Sequence, residues 1–148
     1  MWKAIFQTDL SIVPTILRIV AGVVMFPHGA QKLLGWFGGY GYAGTMQFFT
    51  QNLKIPTVFG LLAILAEFFG SLGLIFGVGT RIAALGIGVV MVVAVFTSHI
   101  DHGFFMNWGG NLKGEGFEFH ILAAGIALAL LVGGGGRFSI DGLIASGL

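Results

Sequence analysis

An apolar stretch over residues 56–81, interrupted by a single acidic residue, constrains this chain most strongly. The stretch reads PTVFGLLAILAEFFGSLGLIFGVGTR, and Glu67 is its only charged residue before Arg81. An apolar run of about 18 residues or more is long enough to cross a bilayer as an α-helix. A carboxylate near the centre of such a helix costs about 2.5–3.5 kcal/mol on insertion scales, so it usually faces the protein interior. The stretch therefore predicts a membrane helix in which Glu67 needs a partner.

The composition extends this prediction to the whole chain. Hydrophobic residues make up 56% of the sequence and charged residues 9%, whereas soluble domains carry about 25% charged residues. Four segments have the character of membrane helices, which predicts an all-α, integral membrane four-helix bundle forming one domain over residues 1–148. A net charge of +1 without a basic run argues against nucleic acid as a partner. The absence of cysteine excludes disulfides, CxxC redox chemistry and thiolate metal sites in this chain.

The order of segments predicts the topology. The first apolar segment is interrupted by Arg18 and ends without a small-residue cleavage site, so we interpret it as a retained helix rather than a signal peptide. A short interfacial helix is expected over residues 45–53, and the glycine run near the C-terminus is expected to be flexible, with the following residues on the membrane surface. Four spans place both termini on one side, which we predict to be the cytoplasm because the long aromatic loops resemble exported ones. The four helices are predicted at about residues 12–34, 56–76, 80–98 and 117–132.

Small residues surround Glu67 on its helix face, which predicts that this face packs against another helix. The face comprises Gly60, Ala63, Gly70, Leu74 and Gly77. Arg18 is the predicted partner of Glu67 and Arg81 the alternative, so these three residues would form a buried polar core. Such a pair can either fix helix packing or serve as a proton or substrate site, and the sequence leaves both readings open.

A second polar group is predicted at the opposite membrane face, about half a membrane away from Glu67. Histidine titrates near neutral pH and forms hydrogen bonds with carbonyl oxygens such as those of a quinone headgroup. The predicted binding residues for a small aromatic or quinone-like ligand are His28, Lys32, His99, Trp108 and His120. The alternative is that they are ordinary interfacial residues. The histidine spacing matches no metal motif, so no metal site is predicted.

Three segments together resemble the DoxX family of small four-helix membrane proteins. They are LRIVAGVVMFPHGAQKLLG, AEFFGSLGLIFGVGTRIAAL and GFEFHILAAG. The family is similar to the membrane subunit of thiosulfate:quinone oxidoreductase, so the resemblance implies electron transfer to quinone and a redox partner subunit. It also implies that the family's polar positions fall on Arg18, His28, Lys32, Glu67 and Arg81.

The resulting expectation is a quinone-interacting subunit of an oxidoreductase system in a bacterial-type inner membrane. In this interpretation Glu67 and Arg18 organise the bundle, while the histidines and Lys32 orient the ligand or relay protons. One alternative is a non-enzymatic assembly or accessory protein whose charged core only sets helix packing. Another is a small proton-coupled transporter that uses Glu67 as its proton site. Whether the protein is an enzyme stays open at this stage.

Overall fold

The protein is all-helical over the part of the chain that the structure describes. The computed structural model describes residues 2–147, with side chains described from residue 4 onward, and no strand occurs within that range. This confirms the predicted all-α class. The seven α-helices among these residues are α1 Trp2–Phe6, α2 Ile12–Leu34, α3 Gly41–Gln47, α4 Thr57–Phe76, α5 Thr80–Ala94, α6 Glu118–Gly133 and α7 Ile140–Gly147.

Local sequence signals explain where the first long helix, α2, begins and ends. The Ser11 hydroxyl accepts a hydrogen bond from the Val13 amide at 3.1 Å, which satisfies one of the free donors of the first turn. Gly35 ends the helix with φ of 75°, a left-handed conformation that glycine adopts without a side-chain clash. Pro27 lies inside the helix and leaves the carbonyl one turn earlier without its usual donor.

Three helical stretches are long and apolar enough to cross a membrane. They are α2, α4 and the stretch Thr80–His102, in which α5 continues through a π-helical turn, Val95–His99, and a 3₁₀ turn, Ile100–His102. Helix α6 is apolar but has only 16 residues. The count of four membrane spans therefore stays a prediction.

A short helix does lie between the first two long helices. Helix α3 continues through a second π-helical turn, Phe48–Asn52, in the region where an interfacial helix was predicted over residues 45–53. Its position at the membrane surface stays a prediction.

The core lies where α2, α4, α5 and α6 pack together, as α2 contacts α4 and α5 lies against both α4 and α6. Its buried side chains include Met25, Leu74, Ile87, Met91 and Leu130. Large apolar side chains on the outer faces of the long helices are exposed, including those of α2 and α4. An apolar outer surface of this kind suits contact with lipid tails.

The glycine run near the C-terminus differs from its prediction as a flexible stretch. The three glycines at positions 134, 135 and 136 are buried, and α7 packs against α1. A Cβ atom on Gly136 would lie 2.6 Å from the Thr15 amide nitrogen, so the missing side chain lets the two backbones touch. The glycine run therefore serves close packing here, and the prediction that it is flexible was wrong. The position of the following residues on the membrane surface stays a prediction.

Candidate functional site around Lys32 and Glu67

The buried carboxylate of Glu67 forms an ion pair with Lys32. The Lys32 Nζ lies 2.5 Å from Glu67 Oε2, and the two side chains are 28% and 4% exposed, respectively. The pair joins α2 to α4 near the end of α2. A charge-assisted hydrogen bond of this kind offsets part of the cost of burying the carboxylate.

A close contact between the two helices sets the position of this pair. A Cβ atom on Gly29 would lie 2.6 Å from the Phe68 Cα and 2.7 Å from the Glu67 carbonyl carbon. Because these are backbone atoms, only glycine allows α2 to approach α4 so closely at this level. Lys32 follows Gly29 by three residues, which places it on the same helix face, beside Glu67.

The predicted pairing of Arg18 with Glu67 was wrong, and so was the alternative pairing with Arg81. Helices α2 and α4 run antiparallel, and the Arg18 guanidinium reaches the last turn of α4, where Ile75 lies eight residues beyond Glu67. At 1.5 Å per residue this separates Arg18 from the level of Glu67 by about 12 Å. The register set by close packing at the glycines, rather than the reach of the arginine, decides which cation meets the carboxylate.

Two of the predicted ligand-binding histidines lie against each other. The rings of His99 and His120 have centroids 4.1 Å apart at an interplanar angle of 40°. His99 lies in the π-helical turn at the end of α5, and such turns often occur at functional sites because they redirect side chains. Its Nδ1 lies 2.8 Å from the Glu115 carbonyl oxygen. His120 is 8% exposed, and its buried Nδ1 has no hydrogen-bond partner among the described residues.

His28 connects the histidine pair to the ion pair. Its ring centroid lies 6.3 Å from that of Phe119, whose ring is in turn 5.6 Å from His120. His28 lies within electrostatic range of Lys32 and Glu67, and His120 lies within that of His28 and Lys32. Glu67 is thus part of the same polar group as the histidines, and the predicted separation by half a membrane was wrong. We call these five residues, His28, Lys32, Glu67, His99 and His120, the polar cluster.

A cavity of about 610 Å³ lies beside Lys32. It is bounded by the C-terminal end of α2 and by α3 with the π-helical turn that follows. Of the residues predicted to bind a ligand, only Lys32 lines this cavity. Its other polar side chains are Gln31, Tyr40, Thr45, Gln47 and Asn52, and its apolar rings are Phe48 and Phe49.

Trp108 does not contribute a buried wall to the polar cluster, although it was predicted as part of the ligand pocket. Its side chain is 86% exposed, and its indole nitrogen donates a hydrogen bond to Glu118 Oε1 at 3.2 Å. The same carboxylate oxygen accepts from the Met106 amide at 2.9 Å. Trp108 therefore helps to order the loop before α6. No group of three or more His, Asp or Glu side chains within residues 2–147 has an arrangement that could hold a metal ion.

Comparison with known proteins places this chain in a family. The family model described as DoxX matches residues 13–100, more than half of the chain. The chain belongs to the DoxX family. The family match confirms the resemblance drawn from the motifs. The match and the long apolar helices together identify the chain as a membrane protein.

Two curated relatives of this DoxX protein cover most of its length. "Putative oxidoreductase CatD" of Bacillus subtilis (strain 168) is 28% identical over 133 residues, which span 89% of this chain and 87% of the relative. "Inner membrane protein YqjF" of Escherichia coli (strain K12) is 32% identical over 110 residues, which span 74% of this chain and 79% of the relative. No solved structure matches the chain.

The two arginines of the predicted polar core bind backbone carbonyls at the opposite end of this DoxX protein. Arg81 donates to the carbonyls of Gln7 and Leu131. Arg18 is 2% exposed and donates to four carbonyls, those of Leu74 at 3.0 Å, Ile75 at 2.6 Å, Gly135 at 2.7 Å and Phe138. Two of these carbonyls belong to the last turn of α4, where helical oxygens lack intrahelical donors. Arg18 thus ties α2 to the end of α4 and to the C-terminal segment.

Asp141 is a buried residue of the DoxX protein that the sequence analysis did not single out. Its two carboxylate oxygens accept hydrogen bonds from the Gly79 amide at 2.7 Å and the Thr80 amide at 2.8 Å. Asp141 is 1% exposed and so caps the start of α5 from a position about sixty residues away in sequence. An aspartate in an otherwise apolar C-terminal segment is the sequence signal that points to such a role.

Proposed function

We propose that this DoxX-family membrane protein is a quinone-interacting subunit of an oxidoreductase system in the inner membrane, with both termini in the cytoplasm. In the proposal Lys32 donates a hydrogen bond to a quinone carbonyl, and the histidines of the polar cluster exchange protons with the ligand. The names of the two relatives, one called an oxidoreductase and the other an inner membrane protein, support the class and the location.

The observation that carries the proposal is the buried Nδ1 of His120, which has no hydrogen-bond partner in the part of the chain that the structure describes. A buried polar atom without a partner costs about 1–3 kcal/mol, so proteins usually satisfy or remove such groups. Here the His120 ring packs against the tilted ring of His99 and lies within electrostatic range of His28 and Lys32. A chain of titratable groups that ends in an unsatisfied imidazole suits transient proton transfer better than it suits packing.

The chemistry divides between this chain and a partner. Conversion of a quinone to a quinol takes up two electrons and two protons. The electrons would come from a redox-active partner subunit, and thiol or sulfur redox chemistry would lie outside this chain, which has no cysteine. The protons would pass through the polar cluster to the quinone oxygens. Lys32 has three N–H donors, so it can hold Glu67 and a ligand carbonyl together.

The direct test is binding of decylubiquinone to the purified protein in phosphatidylcholine nanodiscs. Wild-type protein should bind it saturably. The double variant Lys32→Met, Glu67→Gln removes both charges together and should bind at least about tenfold more weakly, because a hydrogen bond from a charged group contributes about 1.5–3 kcal/mol. The matched control is Lys54→Met, which removes an exposed lysine outside the cavity lining.

Two results would refute the proposal. Absence of saturable binding by the wild type would reject quinone as the ligand. Equal affinity in the wild type and the double variant would reject the role of Lys32 and Glu67.

A second candidate function is supported by the other end of the molecule. Arg18, Arg81 and Asp141 all bind backbone groups, which is the behaviour of residues that hold a scaffold together. If the whole charged set only sets packing, the protein would be a non-enzymatic assembly or accessory protein. In that case Glu67→Gln should lower stability while leaving quinone-linked activity of the native membranes unchanged.

A further inference from the structure

We infer that the cavity beside Lys32, rather than the space among the histidines, holds the ring of the ligand. This inference rests on the proposed function and assigns the place where the quinone headgroup lies. The volume of about 610 Å³ falls in the range of about 300–1,000 Å³ that small-molecule sites occupy. Within residues 2–147, none of the histidines lines this cavity.

The polar lining selects a neutral ligand that accepts hydrogen bonds. Amide, hydroxyl and ammonium groups supply donors around the cavity, and no carboxylate of the described residues lines it. Among those residues Lys32 is the only charged one in the lining, and Glu67 offsets that charge from 2.5 Å away. The cavity thus offers a strong donor without a net positive charge, which favours the carbonyl oxygens of a quinone over a carboxylate or phosphate.

The apolar lining suits a flat ring. Phe48 and Phe49 both face the cavity, with ring centroids 6.3 Å apart and an interplanar angle of 49°. Aromatic rings at such angles can contact a planar ligand by stacking or by edge. Both residues lie in the π-helical turn Phe48–Asn52 and line the same cavity. The cavity is partly open to the outside, so a ligand can enter it.

Lys32 is the only residue that belongs both to the cavity and to the polar cluster. The ligand ring would touch the Lys32 Nζ, which is also the atom that contacts Glu67. Protons therefore pass between ring and histidines by way of the Lys32–Glu67 pair. The histidines act in this arrangement without touching the ring.

The test compares two tryptophan substitutions on the same short segment. Gln47 lines the cavity and Gln51 does not, both are exposed, and they share one hydrogen bond of 3.3 Å. Gln47→Trp and Gln51→Trp therefore lose the same hydrogen bond and add the same ring, but only the first fills the cavity. Binding of decylubiquinone is measured for both variants in phosphatidylcholine nanodiscs, alongside their melting temperatures.

The expected result is a loss of at least about tenfold in affinity for Gln47→Trp and a change within about twofold for Gln51→Trp. Wild-type affinity in Gln47→Trp would overturn the cavity assignment while leaving the proposed function intact. Equal losses in both variants would also overturn it. If the wild type binds no decylubiquinone, the proposed function itself fails.

A competition arm tests the class of ligand. Dodecanoate carries an anionic carboxylate on an apolar chain and lacks a ring. We expect it to displace decylubiquinone only at concentrations far above those of a short-chain menaquinone analogue. Displacement by both at the same concentration would overturn the choice of a neutral ring over an anion.

Discussion

The Lys32–Glu67 ion pair predicts a strongly asymmetric set of stability changes. The perturbations are Lys32→Met, Glu67→Gln and the two together, which remove the cation, the anion or both. The asymmetry follows from burial, because the Glu67 side chain is 4% exposed and the Lys32 side chain 28% exposed. A carboxylate left alone cannot reach water, whereas an ammonium on a flexible stem can.

The magnitudes follow from the same difference. Lys32→Met leaves a buried carboxylate without its cation and should cost about 3–5 kcal/mol. Glu67→Gln leaves the ammonium partly solvated and an amide that still accepts a hydrogen bond, so the cost should be about 1–2 kcal/mol. The double variant contains no unpaired charge and should be more stable than Lys32→Met alone. This corresponds to a coupling energy of about 2–3 kcal/mol, the upper part of the range for residues in contact.

The assay is equilibrium unfolding in mixed micelles, in which sodium dodecyl sulfate is titrated and tryptophan fluorescence reports the free energy of unfolding. A cycle between Arg18→Lys and Glu67→Gln is the control, because Arg18 binds carbonyls elsewhere and its effect should be additive with that of Glu67. Additive effects for Lys32 and Glu67, within about 0.5 kcal/mol, would refute the reasoning. Strong coupling of Arg18 with Glu67 would refute it as well.

The remaining predictions concern the polar cluster with the helix contact beside it, and the cap that Asp141 forms on α5. Gly29→Ala should lower the free energy of unfolding by about 1–3 kcal/mol, because its Cβ would lie 2.6 Å from a backbone atom of α4. Gly125→Ala, where nothing lies within 4 Å of the new Cβ, is the matched control, and equal effects in the two variants would contradict the close-packing argument. His120→Phe removes a buried nitrogen that has no partner among the described residues, so the melting temperature should stay unchanged or rise. The same variant should abolish quinone-linked proton uptake. A clear drop in its melting temperature would contradict this prediction. Asp141→Asn should cost about 1–3 kcal/mol in the unfolding assay, because the amide replaces one of two acceptor oxygens at the start of α5; an unchanged free energy of unfolding would contradict the capping role.

Some features of this protein follow from the sequence because they depend on local patterns. The long apolar stretches predict helices that can cross a membrane, since length and hydropathy alone decide whether a segment suits the bilayer. The small residues around Glu67 correctly predict that its face is turned inward, and Gly60, Gly70 and Leu74 are buried with it. Motif order also identifies the DoxX family, which the family match confirms. Each of these conclusions needs only the order of neighbouring residues.

The partners of the charged residues were decided by tertiary structure. Lys32 rather than Arg18 meets Glu67 because close contact at Gly29 sets the register of two helices, and the sequence shows the glycine but not what it faces. The cap that Asp141 forms on α5 depends on how the C-terminal segment folds back. The cavity beside Lys32 likewise depends on how a π-helical turn packs against the end of α2. Which distant residues meet depends on how closely the helices pack, to within about an ångström. That packing exists only in the folded chain.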